Sequence, residues 1–162
     1  MANMNIVYLM SADINAYDFL EKILKEKFNI LMPEIKKGAH GKPYFKESDI
    51  YFNISHTDAL QAVAIGKSEV GVDIEKIRNV NLQVACRFSK EEYDYIMEAD
   101  SSNRFFEIWT KKEAYLKYLG TGISGGLKSF SVLDLPTKIM TFKKDDYIIS
   151  ICSESYFKIE VV

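Results

Sequence analysis

The hydrophobic pattern changes its period along the chain. Residues 6–10 form a continuous apolar run of strand length. Tyr17, Leu20, Leu24 and Phe28 then recur at helical spacing, with Asp13 as a candidate cap, and Pro33 closes the stretch. Residues 36–42 read as a loop rich in glycine and lysine that carries His40. Residues 50–54 and 60–65 read as strands joined around Ser55-His56-Thr57-Asp58, and residues 70–75 as a third strand.

The second half opens with helices. Ser89 and Glu92 have capping-box spacing ahead of residues 93–97. Ser101 or Ser102 can cap a longer helix with the stripe Phe105, Ile108, Lys112, Tyr115 and Leu119, beside Trp109 and Leu116. That helix stops at Gly120, and Gly125-Gly126 reads as a flexible link. Residues 130–133, 138–142, 147–152 and 157–162 have strand character. Strands and helices mix without regular alternation, which predicts an α+β fold with antiparallel sheet rather than a doubly wound parallel one.

Composition narrows the class further. With 162 residues, 48% of them apolar and 27% charged, the chain reads as one globular domain or two small halves sharing a core. Disorder of the whole chain is excluded. The net charge of −2 argues against nucleic acid as a partner held by bulk electrostatics, yet leaves room for a local basic patch that takes a phosphorylated small molecule. The longest apolar runs fall far short of the roughly 20 residues needed to span a membrane. The N-terminus lacks a basic flank and a signal-type apolar core. Cys86 and Cys152 stand alone, without CxxC spacing, so free thiols in a reducing cytoplasm are expected.

Some segments carry candidate chemistry. In Gly71-Val72-Asp73-Ile74-Glu75, strand alternation sends Val72 and Ile74 to one face and Asp73 and Glu75 to the other. Two carboxylates on one face repel unless a cation or base lies between them; Mg²⁺ suits such hard oxygen ligands. A solvated strand face would produce the same pattern. Glu113 and Lys117 lie one turn apart in a helix and border its apolar face, as a site pair or as a simple i,i+4 ion pair. Ser55-His56-Thr57 can hold an anion or merely satisfy its own turn. Gly41-Lys42-Pro43-Tyr44 aims one lysine, or is a plain loop. Zinc-ligand spacing and a serine-hydrolase elbow are absent.

Taken in order, these blocks resemble one family, the 4′-phosphopantetheinyl transferases of the larger Sfp-like type. The resemblance rests on Gly41 to Tyr44, Asn53 to Thr57, Gly71 to Glu75, the Trp-Thr-x-Lys-Glu-Ala core from Trp109 with Lys117, and Leu127 to Val132. It implies an α+β fold of two similar halves in a pseudo-dimer, residues 1–68 on the nucleotide side and 69–162 carrying metal and catalytic helix. It implies a monomer that moves the phosphopantetheine arm of coenzyme A to a serine of an acyl or peptidyl carrier protein. By motif position, Asp73, Glu75 and Glu113 would be Mg²⁺ ligands. Glu113 and Lys117 would be catalytic, while Lys42, Pro43, Ser55 and His56 would bind coenzyme A. One departure stands out. The family's arginine-rich N-terminal stretch is missing, since residues 1–37 contain no arginine, and Lys36, Lys37 and His40 are candidates to replace it. Lys111, Lys112 and Lys128 are candidates for a basic rim that steers the acidic carrier. A non-catalytic module that binds coenzyme A or a carrier protein is the alternative.

Overall fold

The computed structural model describes residues 5–122 and 126–162. Gly125 of the expected link, and the first four residues of the expected first half, lie outside them.

Strand β1 (Ile6–Ser11) is central and covered on both faces. Ile6, Tyr8 and Met10 pack with Leu20, Ile23 and Leu24 of helix α1 (Ala16–Phe28), whereas Val7 and Leu9 face the second sheet. Two buried faces explain why this strand reads as an unbroken apolar run. The cap of α1 is Asn15, not Asp13: its Oδ1 accepts from the N–H groups of Tyr17 at 2.9 Å and Asp18 at 3.1 Å. The helix ends ahead of Pro33, where Asn29 takes the left-handed conformation at φ 55°.

The expected loop at 36–42 is a hairpin. Strands β2 (Ile35–Lys37) and β3 (Pro43–Phe45) pair antiparallel around it. Three residues per strand are too few to show a period. Strands β4 (Tyr51–His56), β5 (Leu60–Gly66) and β6 (Gly71–Lys76) follow as expected. A 3₁₀ turn at Leu82–Arg87 was not legible in the pattern.

Helix α2 (Lys90–Glu98) carries the Ser89/Glu92 capping box. Helix α3 (Ser101–Leu119) is preceded by Asp100, left-handed and without a side-chain cap bond, so neither Ser101 nor Ser102 is the cap. Gly120, at φ 69°, ends it. The chain finishes with β7 (Ile139–Lys144), β8 (Tyr147–Cys152) and β9 (Lys158–Val161). Residues 130–133 form no strand. Their backbone groups bond to side chains instead: the Phe130 carbonyl accepts from Lys112 and the Val132 N–H donates to Glu92.

The first sheet has the order β4-β5-β1-β9 and the second β6-β8-β7. The same plan occurs twice: a strand, a helix, then two strands with the last in the middle. All these pairings are antiparallel; only β9, added beside β1, is parallel. The α+β expectation therefore holds. Val7, Leu9, Ala62 and Ala64 of the first sheet meet Val72, Ile74, Ile149 and Ile151 of the second in a shared apolar layer. Helix α1 covers the far side of one sheet, and α3 packs on β6 and β8 of the other.

Two contacts position the site. The free edge of β6 is closed by side chains from β4: Asn53 Oδ1 accepts from the Val72 N–H at 2.8 Å and Ser55 Oγ from the Ile74 N–H at 3.3 Å. At the start of β6, α3 comes so near that a Cβ on Gly71 would lie 2.0 Å from the Ala114 carbonyl oxygen and 2.3 Å from the Tyr118 nitrogen. Gly71→Ala must therefore push the helix off the strand. The expected cost is about 1–3 kcal/mol, at about 2–4 °C of melting temperature per kcal/mol. Thermal unfolding checks this, and an unchanged midpoint would refute the close approach.

Candidate active site

Strand β6 and helix α3 bring the candidate residues together. Asp73 leaves β6 opposite Val72 and Ile74 and is 5% exposed. Its Oδ1 accepts from Ser55 Oγ at 2.8 Å and from Lys117 Nζ at 2.7 Å. Lys117 Nζ also donates to Ser55 Oγ at 3.0 Å and to the Val72 carbonyl at 3.1 Å. The Ser55 hydroxyl thus gives its proton to Asp73 and receives from Lys117 and Ile74, so its bonding capacity is used inside the protein.

The other side of the carboxylate pair is bare. Among the described residues, Asp73 Oδ2 and Glu113 Oε1 are buried side-chain oxygens without a hydrogen-bond partner. Desolvated acceptors left unpaired are costly. Burial pushes the Asp73 carboxyl above its usual range, against the pull of Lys117 and Ser55. Burial also raises Glu113, and the charges of Asp73 and Glu75 add to that while Lys117 opposes it. Glu75 sits further out and pairs with Arg78 at 3.2 Å.

The donor set fits a divalent cation of the Mg²⁺ kind, which takes one or two carboxylates and fills its remaining positions with water and substrate phosphate. The orphaned oxygens of Asp73 and Glu113 supply the two. As the side chains stand, no group of three or more His, Cys, Asp or Glu residues among the described residues is arranged to hold a metal ion. Glu75 is the one turned toward another partner.

Two hollows flank this core. A cavity of about 230 Å³ is lined by Glu113 and Lys117 together with His40, Lys42 and Pro43. A second, of about 400 Å³, is lined by His56, Glu75, Arg78 and Tyr147. The expected residues therefore divide between two sides of one core. Lys42 is a joint as well as a wall: its Nζ pairs with Glu69 and donates to the carbonyls of Val70 at 3.1 Å and Tyr118 at 3.3 Å. That last contact sets its charge against the C-terminal end of α3, where a cation is favoured.

Sequence reasoning missed the bridging role of Asn53, although a signal was present: Asn53 and Ser55 alternate with Phe52 and Ile54 just as Asp73 and Glu75 alternate with Val72 and Ile74. It also missed Thr110, whose hydroxyl hydrogen-bonds with Ser150 Oγ at 2.8 Å, either oxygen being able to donate, and ties α3 to β8. The expected basic rim needs correction. Lys112 is fully buried, and Lys111 is paired with Glu107, which leaves Lys128 of the three exposed. An ammonium at the stripe of an amphipathic helix buries when acceptors wait for it, which a surface reading does not anticipate.

Comparison with known proteins bears on the same residues. The model of the 4′-phosphopantetheinyl transferase superfamily matches residues 69–158. The chain is 35% identical to 4′-phosphopantetheinyl transferase gsp of Aneurinibacillus migulanus over 132 residues, 78% of this chain and 55% of that protein. It is 38% identical to 4′-phosphopantetheinyl transferase Sfp of Bacillus subtilis (strain 168) over 98 residues, 57% of this chain and 44% of that protein. To 4′-phosphopantetheinyl transferase AcpT of Salmonella typhi it is 31% identical over 135 residues, 78% of this chain and 70% of that protein. The chain spans about half the length of the first two.

The geometry carries a consequence for stability. A carboxyl raised in the folded state holds its proton more tightly there than in the unfolded chain. Its contribution without metal is therefore lost as pH rises through the folded value. Glu113→Gln removes one such group. Without divalent cation, the variant should melt at or above the wild-type temperature near neutral pH, with the difference shrinking toward acid. Any rise in melting temperature that Mg²⁺ brings to the wild type should be abolished. A variant that melts lower and keeps the Mg²⁺ response would contradict the assignment.

Proposed function

The chain belongs to the 4′-phosphopantetheinyl transferase superfamily, and from that membership we propose that it moves the 4′-phosphopantetheine arm of coenzyme A to a serine of an acyl or peptidyl carrier protein. The observation that carries the reading is the pair of buried, unpartnered oxygens on Asp73 and Glu113 beside Lys117. A plain surface ion pair would not leave two carboxylate oxygens dry and unbonded.

In the proposed reaction the serine Oγ bonds to the phosphorus of the phosphopantetheine phosphate. The pyrophosphate P–O bond breaks, and adenosine 3′,5′-bisphosphate leaves. Glu113 takes the serine proton, directly or through water. Lys117, fixed by Asp73, Ser55 and the Val72 carbonyl, holds positive charge at the cavity wall where phosphate arrives. A Mg²⁺ held by Asp73 and Glu113, with Glu75 as the outer ligand, would supply charge that offsets the pyrophosphate. His56 on one side, and Lys42 with Pro43 on the other, bound the ground for coenzyme A. Ser55 serves it by holding Asp73 and Lys117.

The two-half organisation, residues 1–68 and 69–162, is part of the proposal. The repeated strand plan supports it, and β9 returning to β1 ties the halves into one body, in keeping with a monomer. Among the described residues, no helix is long and apolar enough to cross a membrane. Free Cys86 and Cys152 suit the reducing cytoplasm proposed for it.

Intact-protein mass spectrometry of apo carrier proteins, incubated with the protein, coenzyme A and Mg²⁺, tests the activity. The expected result is a gain of one phosphopantetheine arm that a chelator abolishes. Coenzyme A binding without transfer to any carrier would instead favour the non-catalytic module. The hairpin provides a second test. Lys36 pairs with Glu34 at 2.7 Å, and His40 lines the cavity of Glu113. If Lys36 and Lys37 replace the missing arginines, Lys36→Ala/Lys37→Ala should raise the coenzyme A KM about fivefold, the equivalent of about 1 kcal/mol, with kcat unchanged. An unchanged KM would discard that role.

A further inference from the structure

Lys112 is the most deeply buried charge in α3, and the proposed reaction does not use it. Its side chain is fully buried, as is that of its partner Glu92, at 2.9 Å. Nζ also donates to the carbonyls of Leu127 at 2.7 Å and Phe130 at 2.6 Å, and lies 4.1 Å from the centre of the Phe130 ring. Glu92 is equally committed. Its Oε1 accepts from the Val132 N–H at 2.7 Å, and its Oε2 from the Ser89 N–H at 3.0 Å. One ion pair therefore fastens three pieces of chain: the start of α2, the middle of α3, and the segment from Leu127 to Val132.

The position of Lys112 on the helix gives this fastening a use. At 3.6 residues per turn, Thr110 lies about 60° to one side of Glu113 and Lys112 about 100° to the other. Thr110 is tied to Ser150 of β8, and Lys112 to α2 and the Leu127–Val132 segment. Glu113 thus projects between two fixed flanks. A helix can roll about its axis under apolar packing alone, because such packing is non-directional. Hydrogen bonds on both flanks remove that freedom.

We propose that Lys112, through Glu92 and the carbonyls of Leu127 and Phe130, is a positioning residue that sets the roll of α3 and so holds the Glu113 carboxylate against Asp73. It touches neither substrate nor metal. The inference rests on the transferase reading, which assigns Glu113 its role.

The test is Lys112→Met/Glu92→Gln, which removes both buried charges and keeps their bulk, since losing only one partner would strand the other. It is assayed well below its melting temperature. In that folded variant kcat should fall roughly ten- to a hundred-fold, while KM for the carrier stays at the wild-type value. The Mg²⁺ needed for half-maximal rate should rise, and the Mg²⁺-induced thermal shift should shrink. A lower melting temperature with kcat, Mg²⁺ requirement and thermal shift all retained would overturn the inference and leave Lys112 a core residue only. If the double variant does not fold, Glu92→Asp, which keeps both charges but shortens the tether by one methylene, is read by the same criteria. A wild type that shifts with Mg²⁺ yet modifies no carrier would sink the transferase reading; the thermal shift of the variant would still decide the positioning role. A wild type with neither response would overturn both.

Discussion

Strand β6 has a strand partner on one side only. On the other side the N–H groups of Val72 and Ile74 and the carbonyl of Val72 point into the protein, where water cannot reach them cheaply. An unpaired buried backbone group costs about 1–3 kcal/mol, so this edge must find partners for the chain to fold at all. Asn53 and Ser55 from β4 and Lys117 from α3 provide them. The two sheets are therefore joined by side chains where a backbone ladder would otherwise run. A ladder would have sealed the seam; side chains leave Asp73, Lys117 and Glu113 grouped along it.

That seam also explains why the site is polar at the centre of an apolar body. The hydroxyl of Ser55 serves the edge of β6 and Asp73 at once, and Lys117 bridges the same two features. Structural need and the proposed chemistry share atoms, so neither residue can be assigned to one alone. What the seam does not satisfy, among the described residues, is Asp73 Oδ2 and Glu113 Oε1. Stability is given up at one spot where a cation would restore it. The rest of the core, with Val7, Leu9, Ile74 and Ile149 essentially inaccessible, can carry that loss.

Much of this was legible in the sequence, for identifiable reasons. Strands β1 and β5 show as nearly unbroken apolar runs because both their faces are buried, whereas helices α1 and α3 show because their buried faces repeat. The Asp73/Glu75 alternation and the Glu113/Lys117 turn were visible for the same reason. The hairpin of β2 and β3 was too short to repeat anything. Residues 130–133 have strand composition but bond to Lys112 and Glu92, and composition cannot say which partner a backbone group finds. The cap of α1 fell to Asn15 because its side chain reaches two N–H groups, a choice among neighbouring polar residues that spacing alone leaves open. Pairings between distant segments, Asn53 with Val72 or Lys112 with Glu92, depend on the fold itself.

Helix α3 shows how so much chemistry fits into a short motif. Successive residues of a helix turn by about 100°, so Trp-Thr-x-Lys-Glu-Ala distributes its side chains to different neighbours. Trp109 stacks toward Phe105, Thr110 reaches Ser150, Lys112 reaches Glu92, and Glu113 and Lys117 face the cavity. Ala114 is small where β6 approaches, opposite Gly71. A substitution at one of these positions alters a contact of the same helix that carries the others. A helix that must satisfy a sheet, a second helix and a polar cavity at once has few acceptable sequences, which is why this stretch identifies the site more sharply than either carboxylate does alone.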